Sequence, residues 1–137
     1  MPQPKEERIS RQRRLLIVED EVVVAWEHVL TVHELGWEVC ATVATEQAAV
    51  EAALHLKPDA ILMDYRLAQG GDGFLAARLI RETSDAPIIF CTAYGASLRS
   101  QLLSLRRTQI MRKPVLPSSL QKALQAALEV ETRVDGQ

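Results

Sequence analysis

A chain of 137 residues with 47% hydrophobic and 25% charged residues is long enough to bury one core and has the make-up of an ordinary water-facing domain. No window holds the roughly 18 unbroken apolar residues that a membrane span requires, and "MPQPKEERISRQRR" contains no apolar leader segment, so neither a spanning helix nor a secretory signal is expected and the cytoplasm is the expected compartment. The net charge of −2 hides a polarity: residues 15–85 carry thirteen acidic and four basic groups, while 86–128 carry six basic and no acidic ones.

Residues 1–13 lack apolar periodicity and are read as a mobile basic arm. Beyond it, short apolar runs alternate with helical patterns. Strands are expected at 15–18, 37–43, 60–63 and 87–91, with a weaker one near 108–112. Helices are expected near 21–35, 45–56, 72–83, 96–106 and 118–131. Gly36 closes the first, and Pro58 follows the second. In the last, Leu120, Leu124, Ala127 and Leu128 share a stripe, with Ser118 or Ser119 as N-cap. A tail follows from 132 to 137.

Five β/α units of this size predict an α/β doubly wound, five-stranded parallel sheet with helices on both faces. The first, third and fourth strands are nearly continuous apolar runs, as central strands are. The second alternates and the fifth holds Gln109 and Arg112, which makes both edges. These assignments give the order 2-1-3-4-5, the flavodoxin-like arrangement, whose switch point lies between the first and third strands.

Those two strands end on acids. "LLIVEDE" delivers Glu19 and Asp20, and "PDAILMD" delivers Asp64. Two like charges about 5 Å apart repel by roughly 3 kcal/mol at an effective dielectric near 20, so three carboxylates need a counter-charge or raised pKa values. A divalent ion such as Mg²⁺, which prefers oxygen ligands, would supply one, and the ammonium of Lys113 another.

The segments "VEDE", "PDAILMD", "GGDGFLAA", "IIFCTAYG" and "RKP", in this order and spacing, resemble the receiver domain of two-component response regulators across about residues 14–131. The resemblance implies that Asp64 is the phosphoryl acceptor, forming an acyl phosphate. It also implies Mg²⁺ bound by Glu19, Asp20, Asp64 and the backbone carbonyl of Arg66. Thr92 and Lys113 would contact the phosphoryl group, and Lys113–Pro114 would be cis. The donor would be a phosphohistidine on a sensor histidine kinase. The chain is then a phosphoryl acceptor and not an enzyme. An aspartate-nucleophile phosphatase is disfavoured because Arg66 stands where its general acid would be.

The chain departs from the family in three places. Ile110 replaces the usual aromatic of the Thr–aromatic switch, which leaves Thr92 and Tyr94 to carry any rotation. The loop "YRLAQGGDG" is one residue longer than is common and has Ala68 in place of proline. Arg66 and Tyr94 are expected to shield the acyl phosphate from water.

For output, the acid-free stretch offers Arg99, Leu103, Arg106 and Arg107 on the helix face opposite Leu98, Leu102 and Leu105. An unidentified acidic protein partner, or a second copy in a self-dimer, is expected there, on the face of the fourth helix, fifth strand and fifth helix. Nucleic acid is not expected, since no stacking platform accompanies the arginines. The reading is a single-domain regulator. A phosphorelay intermediate passing the group to a histidine phosphotransfer protein, or a phosphorylation-independent interaction module, are the alternatives. Cys40 and Cys91 read as small buried hydrophobes, His28, His33 and His55 lack metal spacing, and Trp26 and Trp37 read as packing residues.

Overall fold

The apolar runs become five parallel strands in a computed structural model that describes residues 11–93 and 95–136. The strands are β1 (Arg14–Val18), β2 (Glu38–Val43), β3 (Ala60–Asp64), β4 (Ile88–Thr92) and β5 (Thr108–Arg112). Between and after them run α1 (Val22–Glu34), α2 (Glu46–Leu56), α3 (Gly73–Arg81), α4 (Gly95–Leu102) and α5 (Pro117–Gly136). The sheet order is β2-β1-β3-β4-β5, all parallel, with β2 and β5 at the edges as their mixed composition requires.

The two faces of the sheet bury different side chains. One face packs Leu16, Val18, Ile61, Met63, Ile88 and Phe90 against α2, α3 and α4. The other packs Leu15, Ile17, Leu62, Ile89 and Cys91 against α1 and α5, where Leu120 and Leu124 fill the stripe read from the sequence. Alternate residues of each central strand thus go to opposite cores. The β2 ladder against β1 carries a register shift between Leu15 and Leu16, so Val39 faces one core while Cys40 and Ala41 both pack on the other.

Local chemistry sets the helix starts. The Thr45 hydroxyl accepts from the Ala48 amide to cap α2, and one Asp72 carboxylate oxygen accepts from Phe74 and Leu75 to cap α3. The last helix starts on Pro117, whose missing N–H is harmless in a first turn, so neither Ser118 nor Ser119 is its cap, and it runs to Gly136, past the expected end at 131.

The fourth helix is shorter than the 96–106 pattern implied. It stops at Leu102, and the chain turns through 103–107, with Arg107 left-handed at φ 57. Side chains from outside α4 hold the turn that follows it. The buried Arg81 side chain donates to the carbonyls of Ser84, Arg106 and Arg107, and the Thr108 hydroxyl donates to those of Leu102 and Leu105. Burial lowers the Arg81 guanidinium to about 10, the Arg106 cation adding to the fall and Asp85 opposing it, so it still stays charged.

At the N-terminal edge, residues 11–13, read as the end of a mobile arm, run beside the domain. Arg11 pairs with Asp59 at 3.0 Å, and the Arg13 carbonyl accepts from the Glu38 amide.

Candidate functional site

Parallel strands all end at the same edge, so the residues just after β1, β3, β4 and β5 meet above the sheet. Glu19 follows β1 and is buried, its amide donating to the Val43 carbonyl at the end of β2. Asp64 ends β3 and is 6% exposed. Ligand oxygens of Glu19, Asp20 and Asp64 lie within 4.8 Å of one another. It is the one such acidic group among the described residues. Lys113, just past β5, reaches across to Asp64 at 2.9 Å. Thr92, at the end of β4, is buried beside them, and its carbonyl accepts from the Lys113 amide. The Lys113–Pro114 bond is cis.

These groups open onto a cleft of about 280 Å³ lined by Asp20, Glu21, Asp64, Tyr65, Arg66, Thr92, Ala93 and Lys113. The electrostatics are lopsided. Burial pushes the Glu19 carboxyl up to about 7; a hydrogen bond from the Glu21 amide pulls it back, and the Asp64 charge adds to the rise. For Lys113 burial acts downward, but the hydrogen bond and charge of Asp64 outweigh it and hold the ammonium above its ordinary value. One lysine offsets one of three acids. Three clustered carboxylates are a hard-oxygen donor set, which fits Mg²⁺.

A pH dependence follows. With its folded pKa near 7 against an ordinary 4.5, Glu19 takes up a proton on folding between those values. Its contribution to stability is therefore best below about 4.5 and is lost as pH rises through about 7. A divalent cation competes with that proton. Thermal melts in Mg²⁺ should show a gain in midpoint that is small near pH 5.5 and larger at pH 8. A gain independent of pH contradicts the coupling.

The neighbouring cysteine is inert. Cys91 pairs in register with Asp64, and burial pushes its thiol up to about 12, so it remains a protonated apolar neighbour.

Arg66 sits in a feature that the sequence did not reveal. Arg66–Leu67 pairs antiparallel with Gly71–Asp72, closing a small ribbon through Gln69 and Gly70, at φ 63 and 71. The sequence indicated turns here but not their pairing, because two-residue strands leave no periodicity. Ile110 packs half-buried against the core on the α2–α4 face of the sheet, and Tyr94 lies outside the described residues.

The proposed output residues do not share one helix face. Leu98, Leu102 and Leu105 do pack inward, and Arg99 and Leu103 are exposed. Arg106 and Arg107 lie in the turn beyond α4. There Arg106 pairs with the Asp85 carboxylate and Arg107 donates to the Asp85 carbonyl. The early end of α4 causes the difference.

The sequence reading was also wrong about Trp26. Trp37 is buried, but Trp26 is 62% exposed on α1. With Val22, Val23 and Leu30 it makes an apolar strip, and a groove of about 270 Å³ connects it to Glu19 and Asp20. The spacing 22, 26, 30 was a usable signal: it repeats at helical period along one side of α1.

Comparison with known proteins agrees with this geometry. Residues 15–125 match the response regulator receiver domain, and the chain belongs to that family. It is 32% identical over 118 residues to the phyllosphere-induced regulator PhyR of Methylorubrum extorquens, covering 83% of this chain and 43% of that protein. It is 36% identical over 83 residues to the transcriptional regulatory protein PdtaR of Mycobacterium tuberculosis, covering 61% of this chain and 40% of that protein. The chain thus spans less than half the length of these relatives.

Among solved structures, the receiver domain of Erythrobacter litoralis PhyR superposes with a TM-score of 0.75 at 34% identity, over 85% of this chain and 90% of that one. The receiver domain of the Pseudomonas aeruginosa sensor histidine kinase PA1611, with magnesium coordinated in its active-site cleft, gives 0.77 at 33%, over 86% and 98%. Receiver domains are phosphoryl acceptors for histidine kinases. The Glu19–Asp20–Asp64 pocket is consistent with Mg²⁺-dependent phosphorylation on aspartate. No helix among the described residues is long and apolar enough to cross a membrane.

Proposed function

We propose that this chain receives a phosphoryl group on Asp64 from the phosphohistidine of a sensor kinase in the cytoplasm, and signals by protein contact. The observation that carries the reading is the buried Asp64 carboxylate, gathered with Glu19 and Asp20 within 4.8 Å and held by Lys113 at 2.9 Å. Glu19, Asp20, Asp64 and the Arg66 carbonyl would hold Mg²⁺, which when bound offsets the negative charge of the acids and of the incoming phosphoryl oxygens. Asp64 supplies the nucleophilic oxygen, and the donor's imidazole is the leaving group. Lys113 holds Asp64 in place and then faces the new phosphoryl oxygens as their counter-charge, with Thr92 donating its hydroxyl from the other side. Nothing here requires a general acid, which suits the absence of a carboxylate at position 66. The receiver unit is taken as 14–131, with 1–13 as an arm and 132–137 as a tail.

The kinase has to bring its phosphohistidine to the cleft mouth, and Val22 and Trp26 line the α1 groove that shares Asp20 with the cleft, with exposed Leu30 one turn further along α1. Exposed apolar groups in such a cluster mark a contact surface. Output is assigned to Arg99 and Leu103, with the rest of the acid-free stretch supplying a positive field toward an acidic partner or a second copy. A relay to a histidine phosphotransfer protein uses the same acceptor in reverse.

The test compares donors. Trp26→Ala should slow transfer from the kinase by about tenfold, in line with the loss of a buried aromatic anchor, and leave phosphorylation by a small-molecule phosphodonor unchanged. Arg99→Glu should do neither and should instead weaken the downstream complex at low ionic strength. Equal loss with both donors in Trp26→Ala would remove the strip from the kinase interface.

A further inference from the structure

The small ribbon after β3 is too short to fix its own position, although Leu67 anchors one strand of it in the core. It pairs two residues with two, and its turn places Gln69 and Gly70 in succession in the left-handed region, where a residue bearing a side chain is disfavoured. Two hydrogen bonds also tie it to the junction between β2 and α2. The Ala68 amide donates to the Ala44 carbonyl at 2.9 Å, and the Asp72 amide donates to a carboxylate oxygen of Glu46 at 2.6 Å. Glu46 is the first residue of α2. A Cβ at Gly71 would lie 3.4 Å from the Glu46 Cγ and 3.1 Å from the Leu67 Cβ, so the ribbon is packed against this acid as well as bonded to it.

Glu46 therefore bonds the residue directly across the ribbon from Arg66. The same stretch of chain also fixes the other wall of the cleft, because Val43 accepts the Glu19 amide. The end of β2 and the start of α2 thus hold Glu19 on one side and the Arg66 backbone on the other.

We propose that Glu46 is a positioning residue for the divalent cation: its carboxylate, bonded to the Asp72 amide, locks the ribbon so that the Arg66 carbonyl is preset as a metal ligand. This rests on the proposed role of the Arg66 carbonyl. A charge-assisted bond to a backbone amide is strong enough for the task, and residues that orient metal ligands typically account for tenfold to hundredfold in affinity. Nothing in the sequence marks Glu46 for this role, since an acid in the first turn of a helix already suits the helix dipole.

The experiment measures Mg²⁺ binding by calorimetry in the wild type, Glu46→Ala, Glu46→Gln and Thr45→Ala, together with the Mg²⁺ dependence of phosphorylation by a small-molecule donor. Glu46→Ala should weaken Mg²⁺ about tenfold, and its phosphorylation rate should recover at saturating Mg²⁺. Glu46→Gln keeps a carbonyl oxygen for the Asp72 amide and should regain most of the affinity. Thr45→Ala removes the hydroxyl that caps α2 at Ala48 while leaving the Glu46 carboxylate in place, so it should lower the melting midpoint and keep an Mg²⁺ affinity close to the wild type's. A wild type that binds no Mg²⁺ overturns the metal site itself. A wild type that binds, with Glu46→Ala binding as tightly or Thr45→Ala binding as weakly as Glu46→Ala is expected to, overturns the role of Glu46 alone.

Discussion

Asp64→Asn should abolish phosphorylation, lowering incorporation from either a kinase or a small-molecule donor by roughly a thousandfold or more, the scale of loss when a nucleophile is removed. The amide keeps the shape of the side chain but has no anionic oxygen to attack phosphorus. It also removes one of three converging negative charges, so Glu19 loses a neighbour that helps raise its pKa, and that pKa should fall from about 7. Lys113 loses its 2.9 Å ion pair with the Asp64 carboxylate. The variant should remain folded with a sheet unchanged, because the cores on both faces do not involve this carboxylate. Radiolabel transfer and far-ultraviolet dichroism check the two halves of this expectation. Labelling of the asparagine variant at the wild-type rate would move the acceptor elsewhere.

Gly73→Ala is expected to have the second-largest effect, and for a different reason. The first residue of α3 sits against the end of β3, its amide donating to the Tyr65 carbonyl at 2.6 Å. A Cβ there would lie 2.1 Å from the Asp64 carbonyl oxygen and about as close as 3.0 Å to the Tyr65 Cα. Both obstacles are backbone, so neither can swing aside as a flexible side chain would. Either α3 backs away from the sheet or the end of β3 shifts. Forced overpacking of this kind costs about 1 to 3 kcal/mol, and a displacement near 1 Å at a reacting group can cost about a hundredfold in rate. The alanine variant should therefore melt several degrees lower and phosphorylate about a hundredfold more slowly even where it is fully folded. A normal rate at a lowered melting point would separate the glycine from the site.

Much of this was legible before any coordinates. Continuous apolar runs identified the buried strands, and Gln109 and Arg112 marked an edge, because side-chain burial on two faces leaves that trace in composition. Glu19, Asp20, Asp64 and Lys113 could be brought together on paper because parallel strands end on one side of a sheet. What escaped the reading depends on contacts distant in sequence. The turn after α4 is held by Arg81 from another helix, so a leucine pattern running on to Leu105 overstated the helix and placed Arg106 and Arg107 on the wrong surface. The ribbon holding Arg66 is set by Ala44 and Glu46, more than twenty residues upstream. Trp26 is exposed because it lies with Val22 and Leu30 along a side of α1 that does not pack on the sheet, a placement its spacing already carried.

The most direct test of the central claim maps the modified residue. Wild-type protein is incubated with a small-molecule phosphodonor, with Mg²⁺ or with chelator, and the acyl phosphate is trapped by borohydride reduction and located by peptide mass spectrometry. The account predicts a single adduct, on Asp64, formed with Mg²⁺ and absent with chelator. An adduct on Asp20 or Glu19, or one on Asp64 that forms equally well without the metal, would contradict it.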